Sequence, residues 1–201
     1  MIKNIIFDMG NVLIRWSPDE MMKSLGVCDE DRKTIMKQLF REWEWIAMDA
    51  GEMNGDQCFE SVSQRVEERL HPLLKKLIEW WKMPFDEEEG MDELIESLFE
   101  NGYRIYVLSN ADINQEKYME KIPGNRFLSG RVTSAEIGLI KPDRKIYEHL
   151  CDKYDLKKEE CLFIDDSNLN VFAAKQFGMN AVVYHDIESL KETLRSYGIE
   201  F

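Results

Sequence analysis

The stretch Lys3-Asn4-Ile5-Ile6-Phe7-Asp8-Met9-Gly10-Asn11-Val12-Leu13-Ile14 decides the fold. Ile5, Ile6 and Phe7 are β-branched or aromatic and unbroken by polar residues, which suits a strand buried on both faces of a parallel sheet. The run stops at Asp8, Met9-Gly10-Asn11 follow, and apolar residues resume at Val12. A lone carboxylate at the C-terminal end of such a strand lies where open α/β sheets place their ligands. Gly10-Asn11 predicts a sharp turn and a close backbone approach to a ligand. An Asp after a strand is also ordinary turn chemistry, so a functional Asp8 needs partners from elsewhere in the chain.

Working outward, Arg104 to Leu108 and Cys161 to Ile164 read as further buried strands, with a short strand around Phe127 to Val132 and a last one from Ala181 to Tyr184. Helical patterns separate them: Met91 to Glu100, Asp112 to Lys121, a helix capped by Asp143 and running to Lys153, Leu169 to Phe177 closed by Gly178, and Ile187 to Tyr197. Ser134 to Ile140 reads as a loop. Strands alternating with helices predict a doubly wound parallel α/β sheet. Between the first strand and the second lie about 65 residues of helical pattern, far more than a β-α crossover needs. Ser17-Pro18-Asp19-Glu20 is a capping box with Pro at the first helical position. A second helix follows from Asp29 to about Arg41, a third passes through Phe59, Val62, Val66 and Leu70, and a fourth restarts at His71-Pro72. The chain therefore divides into a core, 1–15 and 83–201, and an inserted helical-bundle cap, 16–82. Met83 to Gly90, acidic with a Pro and a Gly, is the return linker. With Ile14 to Ser17 it forms the expected hinge.

A length of 201 residues, 44% of them hydrophobic and 32% charged, is enough for one domain with a large insertion. The net charge of -13 argues against general nucleic-acid binding, which needs clustered Lys and Arg. No apolar run reaches membrane-spanning length and the N-terminus lacks a signal-peptide pattern. Four scattered cysteines and three histidines suggest reduced thiols in a cytoplasmic protein and no zinc site.

Three strands end in polar clusters: Asp8, Ser109-Asn110 and Asp165-Asp166. Lys141 opens a helix beside them. In a parallel sheet these ends share one edge, and three carboxylates in one cleft need a cation. An oxygen-only set suggests Mg²⁺. With Mg²⁺, Asp8 becomes a candidate nucleophile toward phosphorus, forming an aspartyl-phosphate. Ser109 and Lys141 would hold the non-bridging phosphoryl oxygens. Asp166 or Ser167 is equally able to cap the following helix, Asn110 to cap a turn, and Asn168 and Asn170 either to support the acidic pair or to supply helix-start polarity.

Phe7-Asp8-Met9-Gly10-Asn11-Val12, Leu108-Ser109-Asn110, Lys141-Pro142-Asp143 and Phe163-Ile164-Asp165-Asp166-Ser167 resemble, in order and spacing, the four motifs of the haloacid dehalogenase-like hydrolase superfamily. The helical insert sits where that family's C1-type caps are found. Within it the chain is most similar to the group of sugar-1-phosphate phosphatases and the phosphatase domain of epoxide hydrolases, including a cap segment like Asp49 to Phe59. The resemblance implies Asp8 as nucleophile, Mg²⁺ held by Asp8, the Gly10 carbonyl and Asp165 with Asp166 close by, and a positioning role for Asn110 at the phosphate. It also exposes a departure: most phosphatases of the superfamily carry a second Asp two residues after the nucleophile, and here that residue is Gly10. Good leaving groups, a proton from water or a cap residue, or weak activity would each accommodate it.

The expected activity is therefore Mg²⁺-dependent hydrolysis of a small phosphorylated metabolite, a sugar phosphate for instance, with no nucleic-acid, membrane or obligatory protein partner. A 2-haloacid dehalogenase and a catalytically weak binding or regulatory protein are the alternatives. The acidic pair Asp165-Asp166 argues against the dehalogenase, whose fourth motif is less acidic. The tryptophans either line a pocket between cap and core or fill the cap, with Trp16 and Trp43 of most interest as pocket residues.

Overall fold

The computed structural model describes residues 1–201. Five parallel strands, β1 (Asn4–Phe7), β2 (Arg104–Ser109), β3 (Leu128–Thr133), β4 (Cys161–Asp165) and β5 (Asn180–Val183), lie in the order β3-β2-β1-β4-β5. Side chains alternate across the sheet. Ile5, Phe7, Ile105, Val107, Leu162 and Ile164 face one core with α6 (Met91–Glu100) and α10 (Ile187–Ser196). Ile6, Tyr106, Leu108 and Phe163 face a second core with α8 (Arg144–Tyr154) and α9 (Asn168–Phe177). Fully burying one such Ile, Leu or Phe stabilises the fold by about 1.5–3 kcal/mol. The two cores explain why the central strands are apolar without alternation.

The connections leave β1 in one direction toward β2 and β3, then cross to the other side for β4 and β5. The carboxyl ends of β1 and β4 meet at this reversal, where open sheets form a crevice. Register fixes the residues there: Phe7 lies opposite Ile164 and Val107, and the Asp8 N–H donates to the Ile164 carbonyl at 2.8 Å. Asp8, Ser109 and Asp165 thus reach the same edge.

The insert carries α1 (Pro18–Ser24), α2 (Asp29–Ile35), α3 (Trp43–Asp49), α4 (Gly55–Ser63) and α5 (His71–Ile78) around an apolar core of its own, with Met22, Ile35, Leu39, Leu74 and Leu77 fully buried. Ser17 caps α1 by accepting from the Glu20 N–H, but the Glu20 carboxylate pairs with Lys23 rather than closing the capping box. A full capping box forms instead between Asn54 and Gln57. The two connections between insert and core run side by side: Ile14 bridges Glu87 antiparallel, the Arg15 N–H donates to the Asp86 carbonyl and the Glu88 N–H to that of Leu13, both at 2.9 Å.

Five expectations change. The third helix, α4, ends at Ser63 short of Val66, and Leu70 lies in a separate 3-10 turn, Glu68–Leu70. The α2 segment ends at Ile35 and continues as a wider π turn, Met36–Phe40. Helix α3 was not expected: its sequence, WEWIAMD, alternates tryptophan with charge and hides the helical period. Asp112 to Lys121 holds two short 3-10 turns, Gln115–Lys117 and Met119–Lys121, not a helix, because the Asp112 carboxylate draws in the Asn114 N–H and opens the run with a turn. Ser134 to Ile140 begins with a one-turn helix, α7 (Ser134–Ile137).

Candidate active site

Asp8 leaves β1 directly into a tight loop in which the Leu13 and Ile14 N–H groups both donate to the Met9 carbonyl. The residue that takes the left-handed conformation here is Asn11, with φ of 56°, not Gly10. Its side chain rewards that strain twice, donating to Asp166 Oδ2 at 3.0 Å and accepting from the Trp16 N–H at 3.0 Å. The loop therefore orients the second carboxylate of the acidic pair as well as the first.

Lys141 stands between the strand ends, its side chain 1% exposed. Its ammonium lies 2.6 Å from Asp8 Oδ1 and 2.8 Å from Asp165 Oδ2, and donates to the Leu108 carbonyl at 3.0 Å, so three acceptors occupy its three N–H bonds. Asn110 holds the segment in place reciprocally, donating from Nδ2 to the Lys141 carbonyl and accepting the Lys141 N–H at Oδ1. Lys141 does not open the helix but stands three residues before its first residue, and Asp143 caps α8 through the Lys145 N–H. Asp165 accepts from the Ser167 N–H at 2.8 Å and from Asn170 Nδ2 at 3.0 Å. Asn170 thus supports the acidic pair directly. Asp166 faces Asn11, and Ser167 occupies the cap position of α9 without a side-chain cap bond. Ser109, buried, closes β2 beside them.

Burial, the strongest influence on Asp8, pushes its carboxyl up to about 7, with Asp165 adding to the rise and Lys141 opposing it. On Lys141 burial works against the charge, yet the Asp8 and Asp165 carboxylates outweigh it and raise the pKa. Carboxylate oxygens of Asp8, Asp165 and Asp166 lie within 4.8 Å of one another with no His or Cys among them. This all-oxygen donor set fits a hard cation such as Mg²⁺.

Against this edge the insert closes a cavity of about 100 Å³. Met9, Gly10, Asn110 and Ala111 form its floor, and Trp16, Trp45, Met48, Trp80 and Tyr118 its apolar walls. The Trp16 ring stacks on Trp45, 5.9 Å between centroids, and tilts against Trp80 at 4.4 Å. Trp43, by contrast, is 58% exposed and does not line the cavity. Sequence reasoning assigned no role to Asp49 or Asp112, yet both line this cavity. Burial, helped by the charge of Asp112, pushes the Asp49 carboxyl up to about 7. The signals for Asp49 in the sequence are its place at the head of the Asp49-Ala50-Gly51 turn and at the start of the family-like cap segment, Asp49 to Phe59. No helix is long and apolar enough to cross a membrane, and all four cysteines are free thiols.

The chain is 28% identical over 126 residues to flavin mononucleotide hydrolase 1 of Arabidopsis thaliana, covering 63% of this chain and 51%, about half, of that protein. It is 25% identical over 196 residues to the D-ribitol-5-phosphate phosphatase of Bacteroides thetaiotaomicron, covering 89% of each. Its fold superposes with a TM-score of 0.68 and 19% identity on an enzyme of Bacteroides thetaiotaomicron crystallised with magnesium and inorganic phosphate, covering 92% of this chain and 96% of that one. The family model described as haloacid dehalogenase-like hydrolase matches residues 2–178. The chain, with its central Asp8 and four converging motifs, belongs to the haloacid dehalogenase-like hydrolases.

Proposed function

We propose that this hydrolase is a Mg²⁺-dependent phosphatase that removes phosphate from a small metabolite through an aspartyl-phosphate on Asp8. The observation that carries the reading is the meeting of Asp8, Asp165 and Asp166 around one point, with the Lys141 ammonium bonded to two of the three. A single buried lysine does not neutralise three carboxylates, and the donor set suits a divalent cation better than a second protein charge.

Asp8, Asp165 and Asp166 would hold the ion together with the Gly10 carbonyl. When bound, the ion supplies positive charge that lets an anionic phosphate approach an anionic nucleophile. The remaining work falls to the protein. The Met9 N–H and Lys141 hold Asp8 Oδ1, leaving its other oxygen to attack phosphorus. Ser109, at the end of β2, and Asn110 after it would receive phosphoryl oxygens, and Lys141 would lower the energy of charge gathering on them. Residues 16–82 act as the cap, swinging on the paired connections and excluding water when closed. The small phosphorylated substrate meets the tryptophan wall with its leaving group.

Phosphate release from a panel of phosphorylated metabolites, with Mg²⁺ and with EDTA, tests the reading. Wild type should turn over at least one compound, EDTA should stop it, and Asp8→Asn should abolish it while remaining folded. Absence of release from every compound by folded, Mg²⁺-loaded protein overturns the phosphatase, and chloride release from 2-haloacids would then identify the dehalogenase.

A further inference from the structure

We infer that Asp49, delivered to the site by the helical insert, is the acid that protonates the leaving oxygen, replacing a carboxylate that Gly10 cannot provide. This deepens the phosphatase reading and rests on it. Only three titratable side chains line the cavity: Asp49, Asp112 and Tyr118. Both oxygens of Asp112 are already engaged, accepting from the Asn114 N–H at 2.9 Å and from Asn114 Nδ2 at 3.0 Å. Burial drives the Tyr118 phenol far above its ordinary value, making it a poorer donor still. Asp49 alone has a carboxyl open to the cavity and free of protein hydrogen bonds.

Its position is fixed by the join between insert and core. The Ser134 hydroxyl donates to the Asp49 carbonyl at 2.5 Å and accepts from the Ala111 N–H at 2.9 Å, so one side chain ties the end of α3 to the loop beyond β2. Two residues on, Gly51 packs so closely that a Cβ there would lie 2.3 Å from the Ala135 carbonyl oxygen. Closure of the insert and delivery of Asp49 are therefore one event. The groups that act on Asp49 are Asp112 and Asp8, which favour its protonated form, Lys141, which opposes it, and the neutral Tyr118 beside them. Burial and this surplus of negative charge keep a proton available near neutral pH.

In the forward step an Asp8 oxygen bonds to phosphorus while the bond from phosphorus to the ester oxygen breaks. The bonding pair goes to that oxygen, which takes the proton from Asp49, giving the alcohol, aspartyl-phosphate and Asp49 carboxylate. In the second step water attacks phosphorus, its proton passes to the Asp49 carboxylate, and the bond from phosphorus to Asp8 breaks. Inorganic phosphate leaves, and both carboxyl groups regain their starting states.

The test compares kcat/KM for 4-nitrophenyl phosphate, whose leaving group needs no proton, with that for the alkyl phosphate wild type hydrolyses best. Asp49→Asn should lose about 10²–10⁴-fold on the alkyl ester and under about tenfold on the aryl one. The double variant Asp49→Asn with Gly10→Asp should regain alkyl turnover, since a Cβ at Gly10 meets only the Trp16 side chain, at an ordinary 3.5 Å or more, and needs no left-handed backbone. If Asp49→Asn does not fold, the wild-type pH profile decides: alkyl kcat/KM falls as pH rises through about 7 while aryl kcat/KM does not. Equal losses on the two esters, parallel pH profiles, or a wild type that cleaves only the aryl ester overturn the assignment of Asp49 and leave the phosphatase standing. A wild type that cleaves neither overturns both.

Discussion

Replacing Lys141 with Met keeps most of the buried stem and deletes the charge that bridges Asp8 and Asp165, at 2.6 and 2.8 Å. Breaking a buried ion pair from one side costs about 3–5 kcal/mol, because the partner charge is left stranded. Two features of the site place the loss at the low end. Asp165 keeps donors from Ser167 and Asn170, and Asp8, already raised to about 7, can take up a proton at little cost. A loss of about 3 kcal/mol corresponds to roughly 6–12 °C in a chain of this size. The assay is thermal unfolding in EDTA at pH 7.5, followed by titration with MgCl₂. The cation takes over part of the missing ammonium's work, so Mg²⁺ should raise the Tm of Lys141→Met by more than it raises that of wild type. A loss below about 1 kcal/mol, or an equal Mg²⁺ shift in both proteins, would refute the view that Lys141 holds the Asp8 and Asp165 carboxyl groups together.

Gly51→Ala should cost about 1–3 kcal/mol, since the residue has φ of +72° and its new Cβ would press on the Ala135 carbonyl; calorimetry and a fall in kcat would record the insert's loosened seat. Asp49, raised from 3.8 to about 7, binds its proton more tightly folded than unfolded, so its contribution is complete below about pH 4 and is lost as pH climbs toward 7. Asp49→Asn should therefore gain on wild type by about 1–2 kcal/mol between pH 4.5 and pH 8, allowing for partial exposure of the carboxyl, read as a widening Tm difference. Trp16→Ala, which removes a ring stacked between Trp45 and Trp80, should raise KM for the substrate several-fold with a smaller change in kcat, measured by steady-state phosphate release.

The parts visible in sequence are those whose physics is local. Ile5-Ile6-Phe7 and Leu162-Phe163-Ile164 are apolar because each strand packs on both faces, and Asp8 and Asp165 stand out as the polar residues that end them. Asp143 caps its helix through a neighbour two residues away. What escaped depends on contacts across the fold. Asp49 meets the site only because Ser134, 85 residues later, draws α3 onto the core. Of the two tryptophans expected at the pocket, Trp16 lines the cavity and Trp43 does not; on α3 it is Trp45 that faces it, which follows from how that helix rotates against the core rather than from composition. The turn at Gly10-Asn11 was legible as a turn, but the strained member proved to be Asn11, whose side chain earns its conformation through Asp166.

The bridge between Ile14 and Glu87 places the point where the chain departs for the insert one strand spacing from the point where it comes back. In topological terms everything between is a single long excursion from an otherwise closed fold. The entropy of such an excursion grows only with the logarithm of its length. A shorter, longer or differently walled segment could be grafted at the same two residues without disturbing the register of Phe7 against Ile164. The chemistry at Asp8 and the choice of molecule presented to it can thus be inherited separately, and a library of alternative walls on one unchanged sheet is the natural way to redirect this hydrolase.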